Sequence, residues 1–195
     1  MRILLCTGNA GKVDELGAML PERFEVVSLA DAGLPSELPE TGETLAENAL
    51  QKARYAHART GLPCLADDTG LEVDALGGAP GVRSARYAGE ARDPVANMRR
   101  LLMELDGATE RQARFRTVLA FVSADEERTF EGIVEGVITG APQGKGGFGY
   151  DPVFKPLGST RTFAEMSREE KNAMSHRGRA MAEAVRYMAA LQRRG

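Results

Sequence analysis

The stretch Arg2-Ile3-Leu4-Leu5-Cys6-Thr7-Gly8-Asn9-Ala10-Gly11-Lys12 decides the fold class. Arg2 to Thr7, with its short apolar run, reads as a buried strand. Gly8-Asn9-Ala10-Gly11 reads as a turn. Lys12 then opens a segment with Val13, Leu16, Met19 and Leu20 at helical spacing. Strand, tight turn and helix in that order are the opening of an α/β protein. Phe24 to Leu29 predicts a second strand, and the Pro- and Gly-containing residues 30–42 a loop.

Further along, Thr44 and Glu47 have capping-box spacing and predict a helix to about Thr60, closed by Gly61. Cys64-Leu65-Ala66 predicts a short strand stopping at a turn, Asp67-Asp68-Thr69-Gly70, with a strand restarting at Leu71. A Gly-rich loop is expected from Leu76 to Gly89. Asp93-Pro94 is an N-cap with Pro at the first helical position, and Val95, Met98, Leu101, Leu102 and Leu105 line one face behind it. Residues 114–123 and 128–138 predict two long strands in a hairpin. Ala141 to Pro152 predicts a Gly-rich loop. Thr162 and Ser167 are N-cap candidates, each with Glu three residues later. A last helix turns Met181, Val185, Met188 and Leu191 toward a core. Alternation early and a hairpin in the middle predict an α/β fold with a mixed sheet.

The whole chain of 195 residues fits a single domain, 1–195, long enough to bury a core without a staple. A net charge of −3 gives no basic surplus for non-specific nucleic-acid binding. No apolar run is long enough to cross a bilayer, and the N-terminus lacks signal-peptide features. The two cysteines, Cys6 and Cys64, both lie in apolar runs and predict a buried, reduced pair in a cytoplasmic protein. Two Cys and two His without close spacing exclude a zinc site of the structural type.

Four segments are candidates for chemistry. Thr7 to Lys12 is either a plain strand–helix turn or a phosphate site. Its small residues admit an anion, and the helix start offers free N–H groups beside the Lys12 charge. Asp67 and Asp68 are either turn formers or functional carboxylates. As strand neighbours they point to opposite faces and do different jobs. Glu40, in a loop, could supply a second carboxylate for magnesium. Gly144 to Pro152 is either a floppy tip or backbone shaped around a ligand. Its Phe148 and Tyr150 suit stacking on a purine, and Asp151 suits a base N–H. Ser167 to Arg177 is either a solvated charge run or a helix start that presents His176 and Arg177.

Taken together, these segments resemble the inosine triphosphate pyrophosphatases, also called dITP/XTP pyrophosphatases. The resemblance is carried in order by Thr7-Gly8-Asn9 to Lys12, by Glu40-Thr41-Gly42-Glu43-Thr44 with Glu47-Asn48-Ala49 and Lys52-Ala53, and by Ala66-Asp67-Asp68-Thr69-Gly70. Gly146 to Pro152 and Glu169-Glu170-Lys171-Asn172 to Ser175-His176-Arg177 complete it. One departure is Thr69, where bacterial members commonly have Ser; the hydroxyl is kept.

The resemblance implies an elongated α/β fold, its mixed sheet flanked by helices, with two lobes around a central active-site cleft. It implies hydrolysis of ITP, dITP and XTP to monophosphate and pyrophosphate, clearing them from the nucleotide pool. It assigns Asp68 as proton acceptor and, with Glu40, as magnesium ligand. It places Thr7, Gly8, Asn9, Ala10, Gly11, Lys12 and Thr69 on the substrate. It sets Phe148, Gly149, Tyr150, Asp151, Lys171, His176 and Arg177 around the nucleoside. It implies a homodimer with a purine nucleoside triphosphate as substrate, and neither nucleic acid nor membrane as partner. A pyrophosphatase for other unusual nucleotides and a nucleotide sensor without turnover are the competing readings.

Overall fold

The computed structural model describes residues 1–191. Its elements are β1 (Arg2–Leu5), α1 (Ala10–Met19), β2 (Glu25–Val27), α2 (Leu45–Thr60), β3 (Cys64–Val73), β4 (Pro80–Gly81), α3 (Pro94–Glu104), β5 (Gln112–Val122), β6 (Glu127–Ile138), β7 (Phe154–Pro156), α4 (Arg168–Met174) and α5 (His176–Leu191). The sheet is mixed, as expected. β1 pairs in parallel with β2 and β3, whereas β4 on β3 and β7 on β6 are antiparallel.

The chain clusters into two compact units. Unit 1 comprises Met1–Asp68, Thr117–Gly132 and the chain from Arg177 onward; unit 2 comprises Thr69–Arg116 and Ile133–His176. The strands β3, β5 and β6 each contribute residues to both. Unit 1 carries the hydrogen-bonded order β2-β1-β3-β5-β6. Its core joins Ile3, Leu5 and Leu65 to Leu16 of α1 and to Met181, Ala184 and Met188 of α5. Unit 2 carries β4, β7 and the remaining lengths of the three shared strands. Its core joins Leu71, Val73, Phe115, Val134, Phe154 and Phe163 to Leu101 and Leu105.

Local chemistry explains most boundaries. Asn9 caps α1, its side chain accepting from the Lys12 N–H, so the helix begins at Ala10, two residues before Lys12. Thr44 and Glu47 form the expected capping box on α2, and Gly61 closes that helix. Asp93 caps α3 through the N–H groups of Val95 and Ala96. Thr162 and Ser167 each close a capping box with the Glu three residues on. Both cysteines are free and buried.

Four sequence expectations are corrected. The turn expected at Asp67-Asp68-Thr69-Gly70 is absent: β3 runs unbroken from Cys64 to Val73. Acidic residues there do not break the strand because buried cations and an amide compensate them, as described below. The second strand is shorter than Phe24–Leu29. The loop from Leu76 to Gly89 contains β4 and a 3₁₀ turn at Ser84–Arg86. On α3, Val95 is 55% exposed, so the buried face centres on Leu101 and Leu105 instead.

Candidate functional site

Unit 1 holds a buried network of charge that joins the segment after β1 to the middle of β3. Asp67 is fully buried, and its Oδ2 lies 3.0 Å from Lys12 Nζ and 3.4 Å from Arg177 Nε. Arg177 also pairs with Glu15, which α1 buries one turn from Lys12. Burial alone would raise the Asp67 carboxyl pKa, but Lys12, Arg177 and Lys52 together hold it well below the usual carboxylate range. Lys12 in turn is lowered, chiefly by burial, with Lys52 and Arg177 adding to it and Asp67 opposing.

Asp68 faces another set of partners. Its Oδ2 accepts from Asn48 Nδ2 at 3.1 Å, and its Oδ1 lies 3.9 Å from Lys52 Nζ. Lys52 is the hub on this side. Its ammonium donates to Glu40 Oε1 at 2.5 Å and to the Asp67 carbonyl at 2.6 Å. Asn48 and Lys52 are four residues apart on α2 and so share one helix face. Burial pushes the Asp68 carboxyl up from its ordinary value; Lys52 and Lys12 oppose this, while Glu40 and Asp67 reinforce it. Lys52 is raised: burial is outweighed by Asp68, Asp67 and Glu40. A carboxylate raised toward neutrality suits a general base.

Magnesium requires oxygen donors, and the same geometry supplies few of them. Among the described residues no cluster of three or more His, Cys, Asp or Glu side chains is arranged to hold a metal. Glu40 and Asp68 do converge on one point, the Lys52 ammonium, at 2.5 and 3.9 Å. Magnesium is held by one or two carboxylates together with substrate phosphate and water, so this hard-oxygen pair fits it.

The Thr7–Lys12 segment lies between β1 and α1, as the sequence implied. Gly8 is needed for close packing: a Cβ there would run into the Ser36 carbonyl. Asn9 caps the helix, and Thr7 Oγ1 accepts from the Asn9 N–H at 3.3 Å. Ala10 and Gly11 form the first turn of α1. Thr69, half-buried, follows Asp68 in β3.

Unit 2 gathers the other segments. Lys171 is buried, and its Nζ donates to Asp151 Oδ2 at 2.6 Å. The same ammonium lies 4.6 Å from the centroid of the half-buried Phe148 ring. Asp151 Oδ2 also accepts from the Phe148 N–H at 2.8 Å. His176 is buried and stacks on Phe115, with centroids 4.6 Å apart and planes 18° apart. The Gly-rich loop is shaped rather than floppy. Gly147 has φ +69° and no room for a Cβ against Asp151, and the Gly146 N–H donates to the Ala164 carbonyl at 2.9 Å. Gly149 also has positive φ, at 62°. Tyr150 is drawn into the core, its hydroxyl donating to the Ser84 carbonyl at 2.9 Å, so its ring is committed to packing.

Arg177 follows His176 in sequence, and its guanidinium pairs with Glu15 and Asp67 in unit 1. Sequence reasoning left out Glu15, Asn48 and the central position of Lys52. The i, i+4 spacing of Asn48 and Lys52 behind the Thr44 cap was the available signal for two of them. Glu15, on an amphipathic helix, gave none.

The fold defines an α/β protein with a mixed sheet, whose unit 1 carries adjacent strand carboxylates compensated by buried amines beside a capped helix start with a lysine. Unit 2 carries a cation–aromatic cluster, Lys171 over Phe148. The chain belongs to the Ham1 family, whose model matches residues 3–187. It is 49% identical over 183 residues to the dITP/XTP pyrophosphatase of Porphyromonas gingivalis, covering 93% of this chain and 94% of that one. With the dITP/XTP pyrophosphatase of Bacillus licheniformis it shares 49% identity over 193 residues, covering 97% and 96%. The solved Ham1 protein of Staphylococcus aureus superposes with a TM-score of 0.88 at 36% identity, covering 97% and 99%. The nucleoside-triphosphatase/dITP/XTP pyrophosphatase of Mycobacterium abscessus gives 0.76 at 46% identity, covering 95% and 99%.

Proposed function

We propose that this chain hydrolyses deaminated purine nucleoside triphosphates, ITP, dITP and XTP, to the monophosphate and pyrophosphate. The observation that carries the reading is the split between the two β3 carboxylates, one ion-paired and low, the other raised beside Glu40 and Lys52. Several relatives near half-identical over almost the full chain bear the name dITP/XTP pyrophosphatase, which supports it.

In this mechanism Lys12, the N–H groups that open α1, and Lys52 meet the polyphosphate, which carries about four negative charges. Glu40 and Asp68 are the carboxylates that would hold magnesium, and that ion would supply charge neutralisation at the phosphates and the leaving pyrophosphate. Asp68 orients the attacking water and takes its proton, an effect typically worth about 10²–10⁴-fold. Water attacks the α-phosphorus and the α–β anhydride bond breaks. Asp67 does not take that proton, because Lys12 and Arg177 hold it ionised.

The base belongs to unit 2. Phe148 stacks on the purine, and the Lys171 ammonium, anchored by Asp151, is the cation beside that ring that meets the 6-oxo group. Adenine presents an amino group there and leaves that donor unpaired, which can cost as much as about 10⁴–10⁵-fold. His176 supports the wall through Phe115. Among the described residues of this chain, no helix is long and apolar enough to cross a membrane. Its reduced cysteines fit a cytoplasmic protein, and we expect a homodimer, to be checked by light scattering.

The deciding experiment is pyrophosphate release from ITP, XTP, GTP and ATP, with and without magnesium. Magnesium-dependent release, preferring ITP and XTP, is expected. Diphosphate and orthophosphate as primary products would overturn attack at the α-phosphorus. Tight binding without turnover would leave a sensor.

A further inference from the structure

We propose that Asn48 is a positioning residue that ties the Glu40–Gly42 loop to Asp68 and fixes the orientation of the Asp68 carboxylate. The inference rests on the reading of Asp68 as the proton acceptor. One carboxamide spans two elements: Asn48 Oδ1 accepts from the Gly42 N–H at 2.8 Å, and its Nδ2 donates to Asp68 Oδ2 at 3.1 Å. The amide cannot be turned over. A backbone N–H requires the oxygen on one side, and a carboxylate requires the nitrogen on the other. Asn48 is 1% exposed, so water does not substitute for either bond.

The consequences follow from which oxygen is held. With Oδ2 committed to Asn48, Oδ1 is the Asp68 oxygen paired with Lys52, the ammonium that also holds Glu40. The charged groups that act on Asp68 come from three further elements: Lys52 on α2, Lys12 on α1 and Glu40 in the loop, with Asp67 beside it on β3. Each of these sets charge. Asn48, neutral and hydrogen-bonded on both sides, sets direction. The bond to Gly42, two residues beyond Glu40, holds the loop that carries the second carboxylate. One side chain thus keeps Glu40 and Asp68 in register with each other.

The test separates the two bonds. Asn48→Asp retains an acceptor for the Gly42 N–H but sets an oxygen against Asp68. Outer-shell partners of this kind typically cost about 10- to 100-fold when changed, and that loss is expected in kcat for ITP. KM and the Kd of a non-hydrolysable ITP analogue should stay within about threefold, since a group acting only on the reacting geometry changes kcat rather than binding. An unchanged kcat overturns the inference. So does a loss in kcat matched by an equal loss of analogue binding, which marks a purely structural residue. If Asn48→Asp does not fold, Asn48→Ala carries the same comparison without the added charge. Asp68→Asn serves as the control. If it stays active, the base assignment fails; if it is inactive while Asn48→Asp is fully active, only the role of Asn48 fails.

Discussion

Asp67 and Asp68 are consecutive residues of one unbroken strand, and their carboxylates meet different partners: Lys12 and Arg177 for the first, Asn48 and Lys52 for the second. Strand geometry sends neighbours to opposite faces, and here it separates an ion-paired carboxylate from the one we propose as the base. The two should therefore respond oppositely to neutralisation. Asp67→Asn leaves Lys12 and Arg177 short of a buried counter-charge, a change that typically costs about 3–5 kcal/mol. Its melting temperature should fall sharply. Asp68→Asn removes a carboxylate that burial already disfavours. It should melt no lower than wild type while losing nearly all hydrolysis. Calorimetry and pyrophosphate release on both variants check this, and a stable, inactive Asp67→Asn beside an active Asp68→Asn would reverse the assignment.

The same contrast sets the acid response. The Asp67 pKa is depressed in the folded chain, so its contribution is fully present above the unfolded value of about 3.9 and is lost as pH falls toward the folded one. Asp68 has the opposite sign. Its raised folded value means that stability declines as pH rises through the window just above about 3.9. Denaturation measured from pH 3 to 7 should show Asp67→Asn with a weaker loss toward acid than wild type. Asp68→Asn should lack the decline with rising pH. Parallel curves for all three proteins would contradict both shifts.

Gly8 gives a steric prediction. A Cβ on it meets the Ser36 backbone oxygen, and backbone cannot swing aside as a side chain does. Gly8→Ala should destabilise the chain by about 1–3 kcal/mol, the usual cost of overpacking. It should also weaken every triphosphate alike, because the shifted segment includes the cap of α1. A melting temperature equal to wild type would show that the Ser36 loop yields freely.

Much of this was legible in the sequence, and the exceptions have physical causes. Capping residues act within three positions, so Thr44, Asp93, Thr162 and Ser167 marked their elements directly. Asp67-Asp68-Thr69-Gly70 looked like a turn because acids in an apolar strand are costly. What removes that cost is Lys12, Lys52, Asn48 and Arg177, the last of them 110 positions away in sequence. A local reading cannot add partners that far off. Arg177 adjoins His176 in the chain but pairs with Glu15, 162 positions away. No local pattern announces that pairing with α1.

The base and phosphate ends should be separable by kinetics. Phe148 lies beside the Lys171–Asp151 pair in unit 2, whereas Lys12 and Arg177 share Asp67 in unit 1. Loss of one stacking contact is worth about 1–3 kcal/mol, or roughly five- to 150-fold. Phe148→Ala should lower kcat/KM for ITP by that order and narrow its advantage over ATP, because a loosened base no longer holds its 6-oxo group against Lys171. Lys12→Ala changes charge at the phosphates, which ITP and ATP share, so it should lower both by similar factors and leave their ratio intact. Arg177→Ala should behave like Lys12→Ala with an added loss of stability, since it strips a partner from buried Asp67 and Glu15. Measuring kcat/KM for both nucleotides in the three variants decides the matter. If Arg177→Ala narrows the ITP preference while leaving the melting temperature unchanged, its guanidinium reads the base, and its pairing with Glu15 and Asp67 is not its working state.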